Sequence, residues 1–121
     1  MIDVPKFIRS LGFAFRGLKT LVVSENNARI HFVATLGAVG AGVFFDVSKN
    51  DWLWLALAIA LVWMTEATNT ALEKLVDLVS PDYHPLAGQV KDVAAAAVLV
   101  TAFFALAVAG VVFLPKIFPL R

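Results

Sequence analysis

From Val93 to Leu114 the chain reads VAAAAVLVTAFFALAVAGVVFL, a stretch without a single charge. That is close to the about 20 residues an α-helix needs to cross a hydrocarbon core of roughly 30 Å. The pattern therefore predicts a spanning helix. Two shorter apolar runs, Ile30 to Phe45 and Trp52 to Met64, read as further spans whose polar flanks carry them toward the headgroups, and DVSKND, Asp46 to Asp51, reads as the turn that joins them into a hairpin. The segment KFIRSLGFAFRGLKTLV behaves differently. At about 100° per residue, Lys6, Arg9, Arg16 and Lys19 fall on one arc and Phe7, Ile8, Leu11, Phe15, Leu18 and Val22 on the other. Such a helix lies in the membrane surface, basic above and apolar below. A cleaved signal peptide, the rival reading, would gather its charges ahead of one apolar block instead of repeating them through the segment.

The expectation is an all-α membrane protein of one domain over 1–121. Its surface helix would run over about 5–23, and its three spans over about 27–47, 51–79 and 86–114, the second with a polar extension. GAVGAG, Gly37 to Gly42, lies inside an apolar helix with no strand before it, so it reads as small residues for helix packing and not as a phosphate loop.

Composition agrees. Hydrophobic residues make up 60% of the 121 residues, above the usual share of about half and more than a small soluble domain can hide. The absence of cysteine excludes disulfide frameworks and thiolate chemistry. A net charge of +1 gives no bulk reason to expect nucleic acid as a partner. The distribution of that charge is more telling. With a cytoplasmic N-terminus, Lys6, Arg9, Arg16, Lys19, Arg29, Lys74 and Lys91 lie inside and Lys49, Lys116 and Arg121 outside, the asymmetry that favours this topology. Every glutamate, with Asp77, Asp82 and Asp92, then faces the cytoplasm.

The second apolar run continues without a break into TEATNTALEKLVD, Thr65 to Asp77. Glu66, Asn69, Glu73 and Asp77 are spaced by three, four and four, which stacks them on one helix face. A charge in the hydrocarbon costs about 2.5–3.5 kcal/mol on insertion scales, and like charges on one stripe repel. Lys74 points away from the stripe, so a bound divalent cation is the economical answer. The plainer reading of Glu73 and Asp77, the solvated end of a helix leaving the bilayer, stays open for Asp77 above all. Glu25, in SENNARIHF, has a structural reading too: an acid in the first turn of a span capped by Ser24. Lys91, beside Asp92, either snorkels to the interface or meets a phosphate on the same rim. Carboxylates and a lysine on one rim suit Mg²⁺ and a phosphorylated ligand, since magnesium takes oxygen ligands and is commonly held by one or two carboxylates plus phosphates. His31 and His84 have no spacing that would make a metal pair.

EATNTALEKLVD followed by HPLAGQVKDVAAAAVL resembles the signature of the small integral-membrane lipid kinases of bacteria, the diacylglycerol kinase and undecaprenol kinase family, and the resemblance spans nearly the whole chain. It implies a homotrimer of three-span subunits in the bacterial inner membrane, with active sites between neighbouring chains at the cytoplasmic face. It implies ATP as phosphate donor, Mg²⁺, and a membrane lipid as acceptor. Glu66 falls on the catalytic base and Glu25 and Glu73 on the magnesium ligands. Asn69, Lys91 and Asp92 fall on positions that hold the nucleotide phosphates, with Tyr83, His84 and Gly88 in the adjoining nucleotide stretch and Asp77 in support. His31 departs from the pattern, standing where diacylglycerol kinases of this family carry a carboxylate. With NARIHF, HPLA and FLPKI it tilts the resemblance toward undecaprenol as acceptor, diacylglycerol being the alternative. An ion-coupled transporter subunit is the reading from another class, but it wants polar groups across the bilayer, and Val93 to Leu114 offers only Thr101. A membrane scaffold without chemistry would leave the carboxylate face without a use.

Overall fold

The computed structural model describes residues 1–119 and consists of four helices, α1 (Val4–Ser24), α2 (Asn26–Phe44), α3 (Lys49–Val79) and α4 (Pro85–Ile117). Arg121, counted above among the outer charges, lies outside the described residues. Helices α1, α3 and α4 each begin where a side chain supplies a missing backbone partner. Asp3 accepts the Lys6 amide at 3.0 Å and Pro5 occupies the first turn of α1, where its lack of an N–H removes nothing. Ser48 accepts the Asp51 amide at 3.1 Å to open α3, and His84 Nδ1 accepts the Leu86 amide at 3.1 Å to open α4, with Pro85 following.

The junction of α1 and α2 corrects the sequence expectation. Ser24 does not cap α2. The α1 helix continues through it, so its hydroxyl turns back and donates to the Thr20 carbonyl at 2.7 Å, the ordinary competition a serine offers inside a helix. Glu25 itself takes the N-cap position in extended conformation, and its side chain makes no capping hydrogen bond. Arg29 closes the junction from the other side. Its Nε donates to the Val22 carbonyl at 3.0 Å and its Nη2 to that of Val23, supplying donors to carbonyls at the end of α1.

The α2–α3 connection is tight. The α2 helix stops at Phe44, before Val47, because Asp46 takes a left-handed conformation (φ 48°), which an aspartate tolerates. The Val47 amide then returns to the Gly42 carbonyl at 3.2 Å. This fold-back brings Trp52 against Gly42 so closely that a β-carbon there would stand 2.5 Å from Trp52 Cη2. We expect Gly42→Val to displace the indole and cost about 1–3 kcal/mol, read as a lower melting temperature in detergent. Gly40→Ala is the control, since a β-carbon at Gly40 meets nothing within 4 Å.

Helices α3 and α4 run antiparallel. One end of the pair is sealed by Val47, Leu55, Ala58, Val108 and Val112, with Phe45, Trp52, Phe104 and Phe113 packed around them. Midway, the Thr65 and Thr101 hydroxyls bond each other at 2.8 Å; at the other end Lys91 reaches Asp77. Helix α2 is fastened to α3 through Trp63 Nε1, which donates to Thr35 Oγ1 at 2.9 Å. Hydrogen bonds of this kind between apolar helices average about 0.6 kcal/mol each, so they set the register more than they set the stability.

At 31 and 33 residues, α3 and α4 are about 46 and 50 Å long at the α-helical rise. Both are long and apolar enough to cross a membrane and still project beyond it. The 19 residues of α2 open with Asn26, Asn27, Arg29 and His31, which lower its mean hydropathy, and it is not among the helices that meet this criterion. Large apolar side chains stand exposed along the bundle, among them Leu106, Val111, Phe103 and Val33, as do Phe7, Ile8 and Phe15 on α1. Surface this apolar needs hydrocarbon or other protein against it.

Candidate active site

The polar face of α3 enters the bundle instead of leaving it. Glu66 is 1% exposed, Asn69 and Thr70 are each 5% exposed, and the helical rotation that stacks Glu66 and Asn69 turns both toward α2 and α4. Thr70 Oγ1, one turn along, approaches Glu66 Oε1 at 3.5 Å. On α2, His31 Nε2 stands 3.4 Å from Glu66 Oε2. Neither of those two atoms, nor Asn69 Oδ1, has a hydrogen-bond partner, although all three are buried. Buried polar atoms without partners are rare in native proteins and carry a desolvation penalty. Three of them converge on one place.

That place is an open cleft of about 240 Å³. Asn27, Ile30 and His31 form its α2 wall, Glu66 and Asn69 its α3 wall, and Ala95, Val98, Leu99 and Ala102 its α4 wall. The alanines of α4 keep the cleft from closing, and the aliphatic lining suits a ligand whose reactive end alone is polar.

Beyond the cleft Glu73, Glu25 and Asp77 each have a partner. Asn69 Nδ2 donates to Glu73 Oε1 at 3.3 Å, along the helix. Lys74, which the helical wheel turns away from the stripe, reaches Glu25 at the α1–α2 junction instead, at 4.0 Å. Lys91 Nζ donates to Asp77 Oδ1 at 2.5 Å across the α3–α4 end. So one acid of the stripe, Asp77, is neutralised by a lysine of the chain itself, through a helix neighbour that a single-helix projection does not contain. Among the described residues, no three His, Asp or Glu side chains gather closely enough to cage a metal ion. Glu25 and Glu73 are half-buried oxygen donors at the same end of the bundle. Such a sparse, oxygen-only set fits a magnesium ion that arrives with phosphates and keeps its waters, and does not fit a closed structural site.

The other candidates lie along the start of α4. Tyr83 is exposed, His84 spends its Nδ1 on the helix cap, Gly88 has open space around its Cα, and Asp92 is exposed one residue beyond Lys91. The structure brings Glu66 and Asn69 together in the cleft, whereas Tyr83, His84, Gly88 and Asp92 sit at or just before the start of α4, outside the cleft lining. Sequence reasoning gave His31 weight only as a departure from the family pattern, not as a neighbour of Glu66, and gave Thr70 no role. The available signal for His31 was its position as an ionisable side chain inside an apolar span, which is a functional flag on its own.

The chain matches the family model described as prokaryotic diacylglycerol kinase over residues 12–113. It is 33% identical over 115 residues to the undecaprenol kinase of Bacillus subtilis, an alignment that covers 95% of this chain and 94% of that protein. It is 34% identical over 95 residues to the diacylglycerol kinase of Escherichia coli K12, covering 78% of each. To the diacylglycerol kinase of Synechocystis it is 36% identical over 117 residues, covering 96% of this chain and 67% of that one.

Proposed function

The chain belongs to the prokaryotic diacylglycerol kinase family, and from that premise we propose that it transfers the γ-phosphoryl group of ATP, with Mg²⁺, to the hydroxyl of a membrane lipid. Undecaprenol is the first acceptor and diacylglycerol the alternative. The observation that carries this reading is Glu66: a carboxylate 1% exposed, one oxygen without a hydrogen-bond partner, facing an aliphatic cleft. A lipid alcohol is the ligand whose tail suits that lining and whose one polar group needs a base.

In this mechanism Glu66 takes the proton of the lipid hydroxyl as its oxygen bonds the γ-phosphorus, and the bond from phosphorus to the bridging oxygen breaks to release ADP. Asn69, held by Glu73 through its amide nitrogen, offers its carboxamide to the reacting groups. Lys91 meets the phosphate charge, Asp92 organises the same rim, and Tyr83, His84 and Gly88 border the nucleotide. Glu25 and Glu73 would hold the magnesium ion, whose contribution is to neutralise charge on the phosphates.

The membrane arrangement we infer has α1 on the cytoplasmic surface of the bacterial inner membrane, α2, α3 and α4 spanning, and three chains assembled as a homotrimer. The apolar side chains left exposed on all four helices support it, as do Gly37 and Gly40 on α2, whose Cα faces are open and would let another helix approach closely.

The test is transfer of labelled phosphate from ATP by the purified protein in detergent micelles, with undecaprenol and diacylglycerol at matched surface concentration. We expect transfer that requires Mg²⁺ and is faster to undecaprenol. Faster transfer to diacylglycerol would keep the chemistry and reverse the acceptor; transfer to neither by folded protein would end the proposal.

A further inference from the structure

Resting on the reading of Glu66 as base, we propose that His31 is its positioning residue, donating Nε2–H to Oε2 and fixing the carboxylate in the plane that meets the lipid hydroxyl. A carboxylate at the end of a glutamate side chain turns broadly about its last torsion. A base works only when a lone pair points at the proton it takes. Something must therefore hold the group, and the cleft offers few choices. The α4 wall is Ala95, Val98, Leu99 and Ala102, without a donor or a charge. The charged residues of α3 nearest in sequence are engaged elsewhere, Glu73 with Asn69 and Lys74 with Glu25. Lys91 is bound to Asp77 at the end of the bundle. From α1, no residue lines the cleft.

Asn27 also lines the cleft from α2 but makes no hydrogen bond to Glu66, which leaves Thr70 on Oε1, at 3.5 Å the outer limit of a hydrogen bond, and His31 beside Oε2. The 3.4 Å between Nε2 and Oε2 is near contact with imperfect alignment. Catalytic hydrogen bonds in unliganded sites are commonly of this kind and tighten when substrate binds. Both atoms are buried and unpartnered, so each supplies what the other lacks. His31 approaches from a different helix than the base it orients, and α2 is itself held to α3 through Trp63 and Thr35, one turn further along. Any movement of α2 against α3 thus changes the aim of the base.

The experiment compares kcat, KM for ATP and lipid, and the pH–rate profile of the full-length wild type with those of H31L, H31Q and H31E. Leucine fills the space without donating. We expect H31L to lose roughly tenfold to a hundredfold in kcat, the worth of one hydrogen bond to a charged group, with both KM values held within about twofold. Glutamine can donate from the same place and should recover most of that loss. Glutamate sets a like charge beside the base, so the acid limb of the profile should move to higher pH. An H31L protein with wild-type kcat would overturn the inference, as would equal losses in H31L and H31Q matched by equal falls in melting temperature. Should H31L fail to fold, the profile of H31E decides: one superimposable on the wild type removes the role. An active wild type with indifferent His31 variants removes only this inference, whereas an inactive wild type removes the lipid-kinase mechanism with it.

Discussion

Glu66→Gln, purified and folded, transfers phosphate roughly a hundredfold to ten-thousandfold more slowly than the wild type, the range that general base catalysis contributes. The substitution suits the site because it alters so little else. Glutamine has the same shape and leaves an oxygen for the Thr70 hydroxyl, which stands 3.5 Å from Glu66 Oε1. The side chain is 1% exposed, and exchanging a buried carboxylate for a neutral amide removes a desolvation cost without opening a cavity. The melting temperature in detergent should therefore hold or rise while turnover collapses, and KM for ATP should stay near its wild-type value because Glu66 meets the acceptor and not the nucleotide. Glu66→Ala would be a poorer test, since the cavity it leaves confuses folding with chemistry. A Glu66→Gln protein of full activity would assign the proton to another group and remove the mechanism proposed above.

The parts of this protein that were legible in its sequence are those fixed by local repetition. The charge-free run of α4 predicts its own helix, and the alternating arcs of α1 predict a helix that buries almost nothing in its own chain; only Leu21 is buried there. The spacing of Glu66, Asn69 and Glu73 is likewise a property of one helix. What sequence could not give was the register between helices. The pairs His31–Glu66, Thr65–Thr101 and Lys91–Asp77 each join residues from two different helices, and nothing in either segment alone specifies its partner. The same blindness explains Lys74, read from its wheel position only as pointing away from the stripe and found beside Glu25 at the helix junction. It also explains Ser24, a plausible cap by type, which lost that role because α1 did not end before it. Where the chemistry needs two helices, a pattern along one of them identifies half of the site.

Lys91 divides the structural reading of the rim from the catalytic one. Its ammonium donates to Asp77, and both side chains are well exposed, 39% and 65% respectively. An exposed pair contributes about 0–1 kcal/mol to stability, so as a mere strut between α3 and α4 it is worth the same whichever partner is removed. Lys91→Met and Asp77→Asn would then lower activity little and equally. A lysine that meets the transferring phosphates behaves otherwise, because it faces charge that grows in the transition state; removing one such donor costs about 2.7–4 kcal/mol, or roughly a hundredfold to a thousandfold. We expect that loss in kcat/KM for ATP with Lys91→Met. Asp77→Asn should change it only a few-fold, since the lysine stays and is merely less restrained. Both proteins should melt within a few degrees of the wild type. The ratio between the two losses is the measurement: a ratio near one makes Lys91 a tie between helices, and a large ratio makes Asp77 the residue that holds the lysine until a phosphate takes it.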